Sequence, residues 1–235
     1  MSDLKQHTLD LVSSSQPSFL LLVLGNAKEG HQGDFTAWFK GAFRDQMQRE
    51  KRVIRARTFT RDGVDITWGR FPLVPMQYLA LIDIGGQGPE EAHAVIASAQ
   101  DHFAKQSSAA EVATWLYYPV SPKYGIDRGA IPTTVMIHYT NAVPGMEIEY
   151  NEWFNTRLLR HAAVFDPLVS GQRFERSLYQ NFGALEPTYQ TVALYDQAGS
   201  SERLMEAFKN PPPDLLDMVS LDNERFSEAA YLPLV

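Results

Sequence analysis

The chain has 235 residues, no cysteine and a formal net charge of −7 at pH 7. The missing cysteine excludes disulfides, thiolate catalysis and cysteine-ligated metals. The acidic balance argues against binding to nucleic acid or to a membrane surface, because both need a basic face. Since 44% of the residues are hydrophobic and no apolar run is long enough for a signal peptide or a membrane span, we expect a globular cytoplasmic protein.

The first half of the chain carries the hydrophobic periodicities of strands and amphipathic helices in a definite order. After a polar leader, the pattern predicts a strand at 19–24, a helix from Asp34, strands at 53–60 and 77–84, a helix from Pro89 and a strand at 114–118. This order of strand, helix, strand, strand, helix, strand is that of a ferredoxin-like unit.

The second half repeats that order after a segment, 119–132, that contains three prolines and two glycines. The predicted elements are a strand at 133–140, a helix at 149–163, strands at 169–177 and 191–195, a helix at 201–209 and a strand at 229–232. The chain therefore contains the same succession of elements twice.

The residues themselves also repeat. Trp38 and Phe39 return as Trp153 and Phe154 (153 − 38 = 115). Matching pairs at the same offset are Asn26 with Asn141, Gly30 with Gly145, Phe59 with Phe174 and Arg61 with Arg176, and a second block runs in parallel from Gln77 and Gln190 (190 − 77 = 113). Two similar half-chains imply an internal duplication. We predict a leader at 1–17, a first repeat at 18–118, a linker at 119–132 and a second repeat at 133–235.

The duplication predicts how the halves pack. A ferredoxin-like unit has helices on one face of its sheet only, so its other face needs a cover, and a second copy provides one. We expect an α+β fold in which tandem ferredoxin-like (βαββαβ) repeats form an intramolecular dimeric α+β barrel.

Asn151, Trp153 and Phe154, followed by Arg173, Phe174 and Glu175, form a pattern that resembles the dimeric α+β barrel superfamily, especially its EthD-like members. The superfamily includes cofactor-free monooxygenases, lactone isomerases and dehydratases. The resemblance implies a small hydrophobic ligand. This chain departs from the pattern at Leu158, because relatives often have a histidine five residues after the tryptophan.

Residues that only one half contains are the best candidates for function. We predict His138, His161 and Arg173 as catalytic residues, because the first half has Val23, Gln46 and Thr58 at these positions. A histidine inside an apolar strand is either a structural hydrogen-bonding group or an acid or base with a tuned pKa. The alternative interpretation of His161 is a structural histidine at the end of a helix, hydrogen-bonded to a backbone carbonyl. Arg173 would orient a carboxylate or an enolate, or would form an ion pair with Glu175.

Three further residues, Tyr139, Trp153 and Arg157, are predicted to contact a substrate. The alternative interpretation of Trp153 is a side chain that packs in the core, since the first half has Trp38 at the equivalent position. No histidine spacing typical of a metal site is present.

The leading hypothesis is an enzyme without a metal or organic cofactor that acts on an aromatic or polyketide-like compound by proton transfer, as an isomerase, dehydratase or lyase. Three alternatives stay open: a cofactor-free monooxygenase, a non-catalytic ligand-binding protein, and a haem protein with His161 as axial ligand. The last rests on the segment from Tyr118 to Ser121, which resembles one in chlorite-dismutase-like proteins. A small hydrophobic molecule and, as a further possibility, a second copy of the chain are the expected partners.

Overall fold

The computed structural model describes residues 10–11, 17–125, 133–159, 162, 165–180, 188–211 and 219–235. Elements of the first half follow the predicted order. They are β1 (Asp10–Leu11), β2 (Phe19–Ala27), α1 (Gln32–Trp38), a π-helix (Phe39–Phe43), α2 (Arg44–Arg49), β3 (Val53–Arg61), β4 (Tyr78–Ile84), α3 (Pro89–Lys105) and β5 (Ala109–Pro119). No described helix is long and apolar enough to cross a membrane.

The second half has a matching series of elements. They are β6 (Tyr124–Gly125), β7 (Thr134–Thr140), α4 (Glu147–Trp153), a π-helix (Phe154–Leu158), β8 (Leu168–Arg176), β9 (Thr191–Gln197), α5 (Ser201–Ala207), a short 3₁₀ turn (Asn223–Arg225) and β10 (Ser227–Pro233). The π-helices lie at the same offset as the repeated tryptophans, so this irregular turn is part of the shared framework. It follows that the π-helix alone does not mark a site in either half.

Within the described residues, eight antiparallel strands close into a barrel. Their order is β8-β5-β2-β4-β3-β10-β7-β9, and a β8–β9 pairing completes the ring. The two halves join where β5 pairs with β8 and where β3 pairs with β10. The predicted α+β barrel is confirmed.

Repeated asparagines hold equivalent places in this framework. Asn26 accepts a hydrogen bond from the backbone N–H of Gln77 at 2.8 Å, and Asn141 accepts one from Gln190 at the same distance. Each asparagine thereby fixes the start of the neighbouring strand, as expected for residues that both halves share.

Three apolar layers follow from this arrangement. The barrel interior is filled by large side chains of both sheets, among them Trp115, Tyr117, Tyr139 and Tyr231. A second layer lies between the first sheet and its helices, and a third lies between the second sheet and its helices. Because the barrel interior is packed, any sizeable cavity has to lie on a helix face or at a barrel end.

One end of the barrel interior carries charges. Asp83 and Asp196 occupy equivalent positions in the two sheets (196 − 83 = 113). Arg55 Nε donates to Asp83 at 2.9 Å, while Asp196 accepts from Lys123 Nζ and Ser170 Oγ, each at 2.5 Å. Burial alone would raise the pKa of Asp196, but Lys123, Ser170 and Arg57 hold that pKa below its ordinary value of 3.8.

We expect the ionisation of Asp196 to contribute to the pH dependence of stability. A carboxyl group whose pKa is lower in the folded than in the unfolded protein stabilises the fold when it is ionised. This contribution is complete at pH values above the unfolded-state pKa, and it is lost as the pH falls through the folded-state pKa. Asp196→Asn should therefore lower the free energy of unfolding by about 1.5–3 kcal/mol at neutral pH. The deficit should shrink below pH 3.8. Urea unfolding over a pH series measures it.

The exposed carboxylate Asp101 provides the control, because Asp101→Asn should change stability by less than about 0.5 kcal/mol at any pH. A deficit in Asp196→Asn that stays constant from neutral to acidic pH would show that its charge contributes nothing.

Candidate functional site

A row of titratable side chains crosses the sheet of the second half. Directly opposed residues of antiparallel strands lie on the same face of a sheet. The register across β8, β9, β7 and β10 aligns Arg173, Ala193, His138 and Glu228. The equivalent row of the first half is Thr58, Ala80, Val23 and Thr114. The framework therefore does not require an arginine, a histidine or a glutamate here.

His138 and Glu228 form the centre of this row. The Nε2 atom of His138 is in direct contact with Oε1 of Glu228. Exposure is 7% for the histidine and 8% for the glutamate. The contact is an ion-pair contact rather than an aligned hydrogen bond, and neither ring nitrogen has a hydrogen-bond partner among the described residues. A buried carboxylate beside an imidazole can hold the ring in one tautomer and one orientation.

Aromatic rings surround the pair. The ring of His138 lies 5.0 Å from that of Tyr195, 5.9 Å from that of Phe226 and 6.5 Å from that of Phe154, measured between centroids. Such an environment is poor in water, which strengthens charge interactions within it. The row thus faces the helix layer of the second half, where a histidine in a strand can meet a ligand.

The pair lines a cavity of ≈ 250 Å³. Most of its wall is apolar, contributed by Ile66, Phe71, Phe154, Leu158, Phe165, Phe208, Leu221 and Phe226. Polar groups are few, which is typical of pockets for small organic molecules. Besides the histidine and glutamate, they belong to Thr67, Arg70, Thr140 and Asn223.

A loop of the first half covers this cavity in the second half. It spans residues 62–77 between β3 and β4, and connections of this length are usually functional. Ile66 is buried in the helix layer of the second half, and Phe71 lies 4.3 Å from Phe226 between ring centroids. The cavity is therefore built from both halves although its titratable groups come from one.

Asp65 fixes the conformation of the loop. Its carboxylate accepts hydrogen bonds from the backbone N–H groups of Thr67 at 2.9 Å and Gly69 at 2.6 Å. Burial is the largest single effect and would raise the pKa of Asp65, but the hydrogen bond from the Thr67 hydroxyl and the two backbone bonds together lower that pKa below its ordinary value. Trp68 adopts a positive φ of 53°, an uncommon conformation for a bulky residue. The guanidinium of Arg70 stacks 5.3 Å over the Trp68 ring, at the mouth of the cavity.

Arg173 lies on the same sheet face but has no access to the cavity. It is fully buried, and its two terminal nitrogens donate to Asn151 and Asn155. Its guanidinium also stacks over the rings of Tyr150 and Phe154, at 5.2 and 4.8 Å, and burial lowers its pKa. Arg173 does not line this cavity, so its predicted contact with a substrate is not supported by its position and stays a prediction. Arg173 fastens α4 and the π-helix to the sheet, which explains why Asn151 and Arg173 occur in one pattern.

The structure separates the other predicted residues. Tyr139 faces the barrel interior, where its hydroxyl lies 2.9 Å from that of Tyr231 and burial raises its pKa well above the ordinary value. Trp153 is half-buried and packs against the helix layer, and Arg157 is exposed. None of the three lines the cavity, so their predicted contact with a substrate is not supported. His161 lies outside the described residues.

Two components of the site were not predicted. Glu228 lies inside β10, one residue before the strand predicted at 229–232, and a charged residue next to that apolar run was the available signal. The loop over the cavity gave no signal, because its apolar residues are local and their partners lie in the other half. Among the described residues, no three histidine, aspartate or glutamate side chains converge to hold a metal.

Neither a protein-family model nor a curated protein matches this sequence. Solved structures are similar in fold. A candidate monooxygenase of Fusobacterium nucleatum superposes with a TM-score of 0.59 at 9% identity over 94% of each chain. An anthrone oxidase-like protein superposes with a TM-score of 0.56 at 13% identity, over 94% of this chain and 92% of its own. A DypB variant of Rhodococcus jostii RHA1 in complex with heme superposes with a TM-score of 0.55 at 12% identity, over 97% of this chain and 96% of its own. The fold is thus that of dimeric α+β barrel proteins.

The placement of Arg173 is testable. Arg173→Met keeps the length of the side chain but removes the bonds to Asn151 and Asn155, so we expect a loss of about 1.5–3 kcal/mol in the free energy of unfolding. Urea unfolding measures it, and Arg157→Met, at an exposed position, should change stability by less than about 0.5 kcal/mol. Unchanged stability of Arg173→Met would contradict the fastening role.

Proposed function

We propose that the protein is a cofactor-independent enzyme that catalyses proton transfer on a small hydrophobic, aromatic or polyketide-like compound. The observation that carries this proposal is the contact between His138 and Glu228 on the wall of an apolar cavity. Only the second half has this pair, and the loop 62–77 of the first half covers the sheet at that place. This asymmetry favours a role for the pair beyond folding.

The proposed chemistry uses the pair as one unit. Glu228 contacts Nε2 of His138 and would accept a hydrogen bond from a proton held on Nε2, which leaves Nδ1 as the basic nitrogen. Nδ1 would take a proton from a carbon that lies next to a carbonyl group or is conjugated with one through an aromatic ring, and the electron pair of that C–H bond would move onto the carbonyl oxygen. Return of the proton at another carbon gives an isomerisation, and loss of a leaving group gives a lyase or dehydratase reaction.

The residues that line the cavity indicate the class of substrate. Rings and aliphatic groups surround the cavity, and its ≈ 250 Å³ lies at the small end for ligand pockets, which ordinarily span about 300–1,000 Å³. This volume suits a small fused-ring compound better than a porphyrin. Arg70 at the mouth has no acidic partner among the described residues, so it can face a carbonyl, phenolate or carboxylate oxygen of the substrate.

A cofactor-free oxygenase is the second candidate, because the same enolate can react with dioxygen. It is supported by the likeness in fold to a candidate monooxygenase and an anthrone oxidase-like protein. A haem protein is less well supported. The cavity is small for the group, and the one described histidine on its wall, His138, directs Nε2 at Glu228.

We further propose that 18–118 and 133–235 are ferredoxin-like repeats joined by 119–132. This is supported by the strand order, which within each half places the first strand between the fourth and the third. Membership of the EthD-like group and association into a homodimer stay predictions.

Anthrone is a suitable probe for the proton transfer, because its methylene carbon loses a proton to give a delocalised enolate. We expect the protein to exchange this methylene hydrogen for deuterium in D₂O without oxygen, as measured by NMR. His138→Gln should lower the exchange rate by about 10²–10⁴-fold, and Glu228→Gln should lower it less. Oxygen consumption in air tests the oxygenase in the same samples.

His31→Gln, which removes an exposed histidine, should exchange at the wild-type rate. Wild-type exchange in both His138→Gln and Glu228→Gln would rule out the pair as the base. A protein that binds the probe, seen by quenching of tryptophan fluorescence, but exchanges nothing would instead be a binding protein.

A further inference from the structure

A second cavity lies at the charged end of the barrel. Its volume is ≈ 410 Å³, and it shares no lining residue with the cavity around His138. It forms where β10 ends. That strand pairs with β3 from Phe59 onward and with β7 from Val135 onward, so the preceding residues of β3 and β7 have no strand between them. Among the described residues, the wall includes three arginines, Arg44, Arg55 and Arg57, and one carboxylate, Asp196.

Arg57 is the unusual member of this wall. Its terminal nitrogens lie 3.7 Å from Asp83 and 3.8 Å from Asp196. These distances exceed those of hydrogen bonds. The Nε atom is buried and has no hydrogen-bond partner among the described residues. The side chain as a whole is 21% exposed, and a buried guanidinium nitrogen without an acceptor is uncommon in folded proteins, because its lost hydration is then not replaced.

The two aspartates are already neutralised by other groups. Arg55 holds Asp83, and Lys123 together with Ser170 holds Asp196. Within the described residues, Arg57 therefore reaches these two carboxylates only at ion-pair distances of 3.7 and 3.8 Å, and each of them accepts its hydrogen bonds from other groups. The second half has Gln172 at the equivalent position (172 − 57 = 115), so the framework does not require a cation there.

We propose that this cavity binds a small oxyanion, a phosphate or carboxylate group, with Arg57 at its base and Arg44 and Arg55 at its rim. Planar guanidinium groups bind such anions through paired N–H donors, and these bonds are stronger than those between neutral groups.

The test uses inorganic phosphate and acetate as probes, with sodium chloride at matched ionic strength as the reference. Calorimetric titration and thermal unfolding should show binding of at least one oxyanion and a raised Tm. Arg57→Gln copies the residue of the second half, so the fold should persist, and near-UV circular dichroism checks it. The affinity should fall about 10-fold or more in this variant.

Arg49→Gln removes an exposed charge outside the cavity and should leave the affinity within about twofold of wild type. Phosphate binding alone or acetate binding alone would each support the site and would identify its preferred group. The proposal is overturned if neither probe binds at about 10 mM, where a millimolar site would be filled. It is also overturned if Arg57→Gln binds as tightly as wild type, since the anion would then lie elsewhere.

Discussion

The pairing of strands between the two halves is the constraint on which the rest of the molecule depends. Each sheet has helices on one face, and only the other sheet can cover its second face. The pairings β3–β10 and β5–β8 close the barrel and bury that face. Because large rings such as Trp115 and Tyr117 fill the interior, a ligand has room only on a helix face or at a barrel end.

Within this symmetric framework the chemistry is asymmetric. A row that contains two threonines and a valine in one sheet contains an arginine, a histidine and a glutamate in the other. Burying such groups is unfavourable unless each finds a partner. His138 finds Glu228, and Arg173 finds two asparagines. The first pair borders a cavity and the second does not, so burial of a charged group alone does not identify a site.

The pattern that most resembled a family signature is structural. Asn151 and Arg173 bind each other and hold a helix to the sheet, while His138 and Glu228 on the cavity wall lie outside that pattern. This agrees with the likeness to solved structures, which at 9–13% identity concerns fold alone. Shared architecture explains the shared residues. The residues that differ between the halves, such as His138 and Arg57, are where the proposals for function rest.

The sequence by itself determined the order of strands and helices, the internal repeat and the choice of His138 as a candidate residue, because hydrophobic periodicity and residue repetition are local signals. The π-helices were predicted only as ordinary helix, since the periodicity over five residues cannot distinguish the two. Only the tertiary structure decided which face His138 takes, that Glu228 is its partner, and that a loop of the other half covers both. These contacts depend on strand register and barrel closure, which bring residues together that are far apart in the chain.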